Sequence, residues 1–213
     1  MDLRRLQARI FHAGHDRGLS QQIFDFRKRI FIDQMGWNLA LIDGVEKDEF
    51  DTIDTTYCAI LKGSQLVGAF RAIRCDKPYL SAVVFPDLAQ TESYPSTWDA
   101  WEISRFAAVD PEISWSLYAT MLDFGWSRQA RALVALVDLG HERILRMLGI
   151  NVRRYGAPMH VGNTRNGRPI MAVAGEIPLI DQGPTLRSAA ARTLSAMEIF
   201  DETLVFGPDR ISA

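Results

Sequence analysis

Residues 101–109 read WEISRFAAV, an apolar, strand-like run that carries an acid (Glu102), a hydroxyl (Ser104) and a base (Arg105). A run this apolar belongs at the centre of a sheet covered on both faces. Ionisable groups there cost several kcal/mol unless they are paired or put to use. Two readings follow: a structural Glu–Arg pair that fills a core, or a working site. Successive strand residues alternate faces, so Glu102 and Ser104 point one way and Arg105 the other. Both ionic groups reach one cleft only if the strand bulges near 102–105, and a bulge is therefore expected.

The surrounding chain gives that strand its partners. Residues 1–10 read as a first strand, and 19–35 place Ile23, Phe26, Ile30 and Phe31 at helical spacing with Gly36 as the stop. The acidic stretch 37–54 reads as a loop. Strands are expected at 55–63 and 65–75, joined by a hairpin turn at Gly63 and Ser64. A short helix fits 79–90, the acid–base strand 98–109, and a helix with an early Pro111 fits 111–130. ALVALVD (132–138) is a buried strand, and 140–149 an amphipathic helix closed by Gly149. INVRRYG and PIMAVAGEI supply two more strands, and 184–199 a final helix. Trp37 and Trp98 fall in loop-like or strand-edge positions, whereas Trp101, Trp115 and Trp126 read as core or helix-face residues. Antiparallel hairpins mixed with helices predict an α/β fold whose mixed sheet is covered on both faces. The 213 residues are read as one domain.

Composition excludes several classes. With 24 basic against 26 acidic residues the net charge is −2, which argues against nucleic-acid binding by bulk attraction. No apolar run of about 18 residues and no leader signature is found, so no membrane partner and a cytoplasmic location are expected. Cys58 and Cys75 read as buried thiols of a reducing compartment. His12, His15, His141 and His160 lack metal-ligand spacing, and no metal is expected.

Further side chains stand out. Arg27 and Phe31 share one helix face, with Trp37 just beyond: either a grip for a ligand bearing a carboxylate and an aromatic base, or a solvated Arg over core aromatics. Asp48 and Asp51 lie three apart in the acidic loop and can meet an ammonium, a sulfonium or an arginine. Arg71, inside the hydrophobic GAFRAI strand, demands a buried carboxylate or an anionic ligand, with Asp48, Asp51 and Glu102 as candidates.

Taken in order, Arg27, Phe31, Trp37, Asp48, Asp51, Arg71, Phe85, Glu102 and Arg105 match the pattern of the acyl-homoserine lactone synthases, and the chain resembles that family through most of its length. The WEISRFA block and the ERILRMLG helix belong to the resemblance, and the C-terminal third is looser. The resemblance implies an N-acetyltransferase-like three-layer α/β/α sandwich with a cleft where two central strands splay. It also implies two substrates, S-adenosylmethionine and an acyl thioester on acyl-carrier protein or coenzyme A. The methionine amine attacks the thioester. Its carboxylate then closes a lactone as 5′-methylthioadenosine (MTA) departs.

On that reading Glu102 is the candidate general base, and backbone N–H groups of the splayed strands bind the oxyanion. Arg27, Phe31, Trp37 and Phe106 wall the S-adenosylmethionine site, and Asp48 holds its amino or sulfonium end. Asp51, Arg71 and Arg105 form an ion-pair frame, and Ser104 contributes a hydroxyl or carbonyl to the amine. No cofactor is expected, S-adenosylmethionine being a substrate. Phe85, Met121, Leu136, Val137, Leu139 and Met147 are candidates for the acyl tunnel. Val137 stands where members that favour 3-oxo chains carry Thr; valine has no hydrogen bond to offer, which points to an unsubstituted chain. Arg143, Arg146, Arg153 and Arg154 can offer a basic face to a carrier protein. Two alternatives remain. An ordinary acetyl-coenzyme A N-acetyltransferase is disfavoured because no Gly-rich pyrophosphate loop opens the 111–130 helix. A non-catalytic small-ligand sensor is the other.

Overall fold

A computed structural model describes residues 6–204. Eleven strands and five α-helices follow in the order β1 (Leu6–His12), α1 (Arg17–Arg27), β2 (Leu41–Ile42), β3 (Val45–Glu46), β4 (Thr56–Lys62), β5 (Gln65–Arg74), α2 (Leu80–Val84), β6 (Ala100–Ala108), α3 (Pro111–Ser127), β7 (Ala132–Asp138), α4 (Leu139–Met147), β8 (Arg153–Arg154), β9 (Met159–Asn163), β10 (Pro169–Pro178), α5 (Pro184–Leu194) and β11 (Glu198–Asp201). The main sheet runs β11-β1-β4-β5-β6-β7-β10-β8, with β9 also on β10, while β2 and β3 form a separate hairpin. This is the mixed α/β sandwich expected, with residues 1–5 of the first predicted strand outside the described residues.

Local chemistry sets the helix ends. Asp16, Asp110 and Asp138 each accept the backbone N–H three residues on, capping α1, α3 and α4. Pro111 occupies the first turn of α3, where its missing N–H costs nothing. Gly36 and Gly149 take φ of +70° and +75° just past their helices. The first helix does not stay α-helical: after Arg27 it widens into a π-helical segment, Lys28–Gln34.

Sequence and structure part in four places. The 37–54 loop contains the β2–β3 hairpin, whose Asp43 and Gly44 both have positive φ. An Asp-Gly pair between apolar residues favours that tight turn. The helix read at 79–90 is only α2 followed by a 3₁₀ turn at Pro86–Leu88. INVRRYG pairs only at β8. Finally β9 and β11 are strands, and β11 takes residues 198–199, the end of the span whose sequence reads as the final helix.

Packing divides by face. One face carries the large core, where Phe70, Ile103, Leu117, Met121, Phe124 and Leu133 meet beneath α3 and α5. The other carries two smaller clusters, one around α1 with Tyr57 and Ala69, the other under α2 with Ile73, Val134 and Ala174. Along β5 on that face, Ala69 belongs to one cluster and Ile73 to the other, with Arg71 between them. The polar site fills this gap between two apolar patches.

Two features of β6 shape the gap. It pairs with β7 in parallel only at Ala100, Trp101 and Glu102, and beyond Val134 the two strands separate. On its other edge Arg71 pairs with Ser104 but Ala69 pairs with Ala107, so Arg105 and Phe106 together face Phe70 alone. That is the expected bulge. Its extra residue is Arg105, at φ +54°, a left-handed conformation that L side chains seldom take.

Candidate functional site

The bulge points Arg105 toward the acidic loop. Its Nη2 donates to Asp48 at 2.8 Å and its Nε to Glu46 at 3.0 Å. Arg27 donates to Asp51 through both terminal nitrogens, at 2.8 and 3.0 Å, and through Nε to Glu46. Arg71 donates to Asp51 at 2.9 Å, to Asp48, and through Nε to the Ser104 hydroxyl at 3.0 Å. Tyr57 donates its hydroxyl to Asp51 at 2.6 Å. Three arginines thus meet three carboxylates, Glu46, Asp48 and Asp51, in a neutral lattice that ties α1, the hairpin, β4, β5 and β6 together.

For the two carboxyls the neighbouring arginines together outweigh burial. Burial alone would push the Asp51 carboxyl up, but Arg71 and Arg27 hold it well below the usual carboxylate range. Glu46 is likewise driven up by burial and brought down further by Arg105 and Arg27. The Tyr57 hydroxyl moves the other way: burial and then the Asp51 charge raise it, so it stays a donor. One donor of the lattice is open, since Arg71 Nη2 is buried with no acceptor among the described residues.

In front of the lattice lies a cleft of about 280 Å³ lined by Leu39, Ala40, Glu46, Asp48, Phe50, Leu80, Val84 and Arg105 among others. Asp48 and Arg105 are the predicted site residues that line it. Asp51 and Arg71 stand behind them, fully shielded, as the predicted frame.

Other placements differ from expectation. Arg27 is completely buried and belongs to the frame, not to a ligand wall, because two carboxylates draw its head inward. Phe31 is buried and stacks on Trp37, with ring centroids 5.0 Å apart at 17°, and the half-buried Trp37 bridges to Thr164. Phe106 lies on the opposite face, stacked on Tyr118 at 4.5 Å, since the bulge sends it away from Arg105. Glu102 is wholly buried at the point where β6 leaves β7, and its carboxylate accepts from the N–H groups of Leu80 and Ser81 and from the Ser81 hydroxyl at 3.2, 2.7 and 2.6 Å. It does not line the cleft.

The acyl candidates scatter too. Phe85 and Leu136 pack under α2, and Met121 is in the large core. Val137 lines a cavity of about 30 Å³ with Ala135, Leu145 and Val152, far smaller than an alkyl chain. Leu139 and Met147 are 40% and 76% exposed. Helix α4 turns Glu142 and Leu145 inward, and Met147, two residues past Leu145, falls on the outer side. Of the four basic candidates near α4, Arg146 and Arg154 pair with Glu142 and Arg153 with Glu176, and Arg143 is exposed.

Sequence reasoning missed Glu46. The signal was available: the Asp-Gly turn at 43–44 makes Val45 and Glu46 a strand, and an acid in such a strand beside a helix carrying Arg27 invites a pair.

Among the described residues no group of three or more His, Cys, Asp or Glu is placed to hold a metal, and no helix is long and apolar enough to cross a membrane. Cys58 and Cys75 are free and buried in different cores.

A mixed sheet splayed at two central parallel strands is a fold shared with a putative N-acetyltransferase from Lactobacillus plantarum, which superposes with a TM-score of 0.52 at 12% identity over 80% of this chain and 99% of that one. The sequence model of the autoinducer synthases matches residues 12–176, and the chain belongs to that family. It is 32% identical over 149 residues to the acyl-homoserine-lactone synthase of Aeromonas hydrophila, which covers 65% of this chain and 72% of that protein. TofI, solved in a ternary complex with an inhibitor and MTA, superposes with a TM-score of 0.73 at 29% identity, over 85% of this chain and 96% of TofI. BjaI, a coenzyme A-dependent acyl-homoserine lactone synthase solved with MTA, gives a TM-score of 0.77 at 25% identity, over 96% and 95%.

Proposed function

We propose that this protein acylates the amine of S-adenosylmethionine from an acyl thioester and then closes the lactone with loss of MTA, producing an acyl-homoserine lactone signal. The observation that supports this best is the convergence of Asp48 and Arg105 on one cleft beside the splayed β6–β7 pair. The relatives bound to MTA support the same product.

In this reading Asp48, whose side chain is 20% exposed while Asp51 is fully shielded, orients the substrate's cationic end. An α-amine titrates near 8, so about a tenth enters unprotonated at neutral pH and attacks without a strong base. The nitrogen sheds its proton to water at the open mouth, and the tetrahedral adduct collapses with cleavage of its C–S bond, the thiolate leaving as the protonated thiol of coenzyme A or of the carrier protein. Backbone N–H groups of β6 and β7 beyond the last paired residues, Glu102 and Val134, receive the oxyanion. Positioning then brings the methionine carboxylate onto its own γ-carbon, where the sulfonium is a ready leaving group. Half-buried Trp37, backed by the buried Phe31 on which it stacks, forms the outer aromatic wall. Frame residues Arg27, Asp51 and Arg71 act by holding Asp48 and Arg105 in place.

The donor is an acyl group on coenzyme A or on acyl-carrier protein, the latter docking against Arg143, Arg146, Arg153 and Arg154. The chain is unsubstituted, and the small cavity at Val137 widens to admit it. Purified protein incubated with S-adenosylmethionine and a panel of acyl-coenzyme A and acyl-carrier thioesters, read by mass spectrometry, tests the whole. The expected products are MTA and a homoserine lactone bearing a plain acyl chain. A panel that yields neither product overturns the reading, and preference for 3-oxo chains overturns the assignment at Val137.

A further inference from the structure

We infer that Glu102 is a positioning residue that fastens α2 to the sheet as the inner wall of the cleft, and that it does not carry the amine's proton. The inference rests on the synthase reading above. Its first support is geometric. Helix α2 has five residues, and its N-cap, Tyr79, makes no side-chain capping bond. So short a helix is not stable by itself. Its first N–H groups need acceptors, and Glu102 provides them from β6: Oε2 takes Leu80 N–H, and Oε1 takes both Ser81 N–H and Ser81 O–H.

The second support is occupancy. Of the four lone pairs on the Glu102 carboxylate, three already accept hydrogen bonds, both of those on Oε1 and one on Oε2. Ser81 and Glu102 are each fully buried, so the contact is sealed from solvent. A base needs a lone pair facing the proton it takes. This carboxylate faces a helix.

The third support is what α2 does. Leu80 and Val84 line the same cleft as Asp48 and Arg105. Glu102 sits in the last β6–β7 pair before the strands part, so it anchors that wall at the apex of the splay. Shifting α2 by an ångström changes the width available to the reacting atoms, and misplacement on that scale is enough to slow a positioned reaction substantially.

Ser81→Ala and Glu102→Gln separate the roles. Amide hydrogen exchange is followed at residues 80–84, and kcat/KM from MTA release is followed across pH. Ser81→Ala leaves the carboxylate in place. Anchoring predicts exchange in α2 faster by about tenfold, kcat/KM lower by about tenfold, and an acid limb of the pH profile that does not move; Ser81→Thr, which keeps the hydroxyl, restores both. Glu102→Gln keeps an acceptor for Ser81 and should lose about ten- to fiftyfold, again with an unmoved limb. A base role predicts a different pattern, with Glu102→Gln losing a thousandfold or more in kcat while α2 exchanges as in wild type, because general-base catalysis supplies roughly 10²–10⁴. That pattern, or a limb that moves in Ser81→Ala, overturns the inference. So does wild-type kcat/KM in Ser81→Ala despite faster exchange. If the wild-type protein releases no MTA with any thioester, the synthase reading is what fails, and the exchange data still judge the anchor.

Discussion

Two ion-pair networks flank the splayed strands, and they differ in where their arginines lie. In the lattice behind the cleft both partners are buried: Arg27, Arg71, Glu46 and Asp51 have at most 1% of their side chains exposed. Beside α4 and β10 the acids are equally hidden, Glu142 at 7% and Glu176 at 1%, but Arg131, Arg146, Arg153 and Arg154 are 40–54% exposed. A buried carboxylate served by solvated arginines can swap one partner for water. A buried carboxylate served by buried arginines cannot, and losing a partner leaves a naked charge. The first network is a fixed frame, and the second is a surface whose arginines can trade a carboxylate for water.

The largest effect that sharpens this contrast is expected at Asp51. Asp51→Ala strands Arg27, Arg71 and the Tyr57 hydroxyl, and should cost about 3–5 kcal/mol, read as a lowered urea midpoint, with activity lost. Acid comes next. Glu46 and Asp51 have ordinary values of 4.5 and 3.8 and are held lower in the fold. Their stabilisation is therefore complete above about pH 5 and erodes as pH falls through the depressed folded values. Glu46→Gln should flatten that acid dependence, and an unchanged slope would remove Glu46 from the frame's electrostatics. Arg105→Gly should abolish most turnover yet move stability by only about 1 kcal/mol, because glycine takes the left-handed backbone without strain and that relief offsets the lost pairs. Smallest is Arg154→Ala, worth about 1 kcal/mol or less and shrinking further in 0.5 M salt, which screens exposed pairs but not buried ones. Its rate should fall with an acyl-carrier donor and hold with acyl-coenzyme A. Equal loss with both would break the assignment of that face to docking.

Much of this arrangement was legible in the chain. Arg71 in an apolar strand announced a buried carboxylate, and a bulge near 102–105 followed from bringing Glu102 and Arg105 to one cleft; the bulge is there at Arg105, although Glu102 stops short of the cleft. Periodicity could not place Arg27, because a helix face says which residues point together and not what lies opposite. Only the two-residue strand holding Glu46, set by the Asp43–Gly44 turn, decides that Arg27 points inward. Met147 and Leu139 failed as tunnel residues for a related reason: hydrophobicity marks candidates for burial, but α4 is a short helix with one buried stripe, and they lie off it. Glu102 was recognised as buried and ionisable, yet its partners come from a helix of five residues too short to leave a periodic signal.

The left-handed backbone at Arg105 carries an evolutionary consequence. Glycine or asparagine fits that geometry better than arginine does, so drift toward greater thermal robustness at this position runs directly against the role proposed for the cleft. A laboratory screen selecting only for heat resistance should repeatedly recover chains altered at residue 105 that are sturdier and silent.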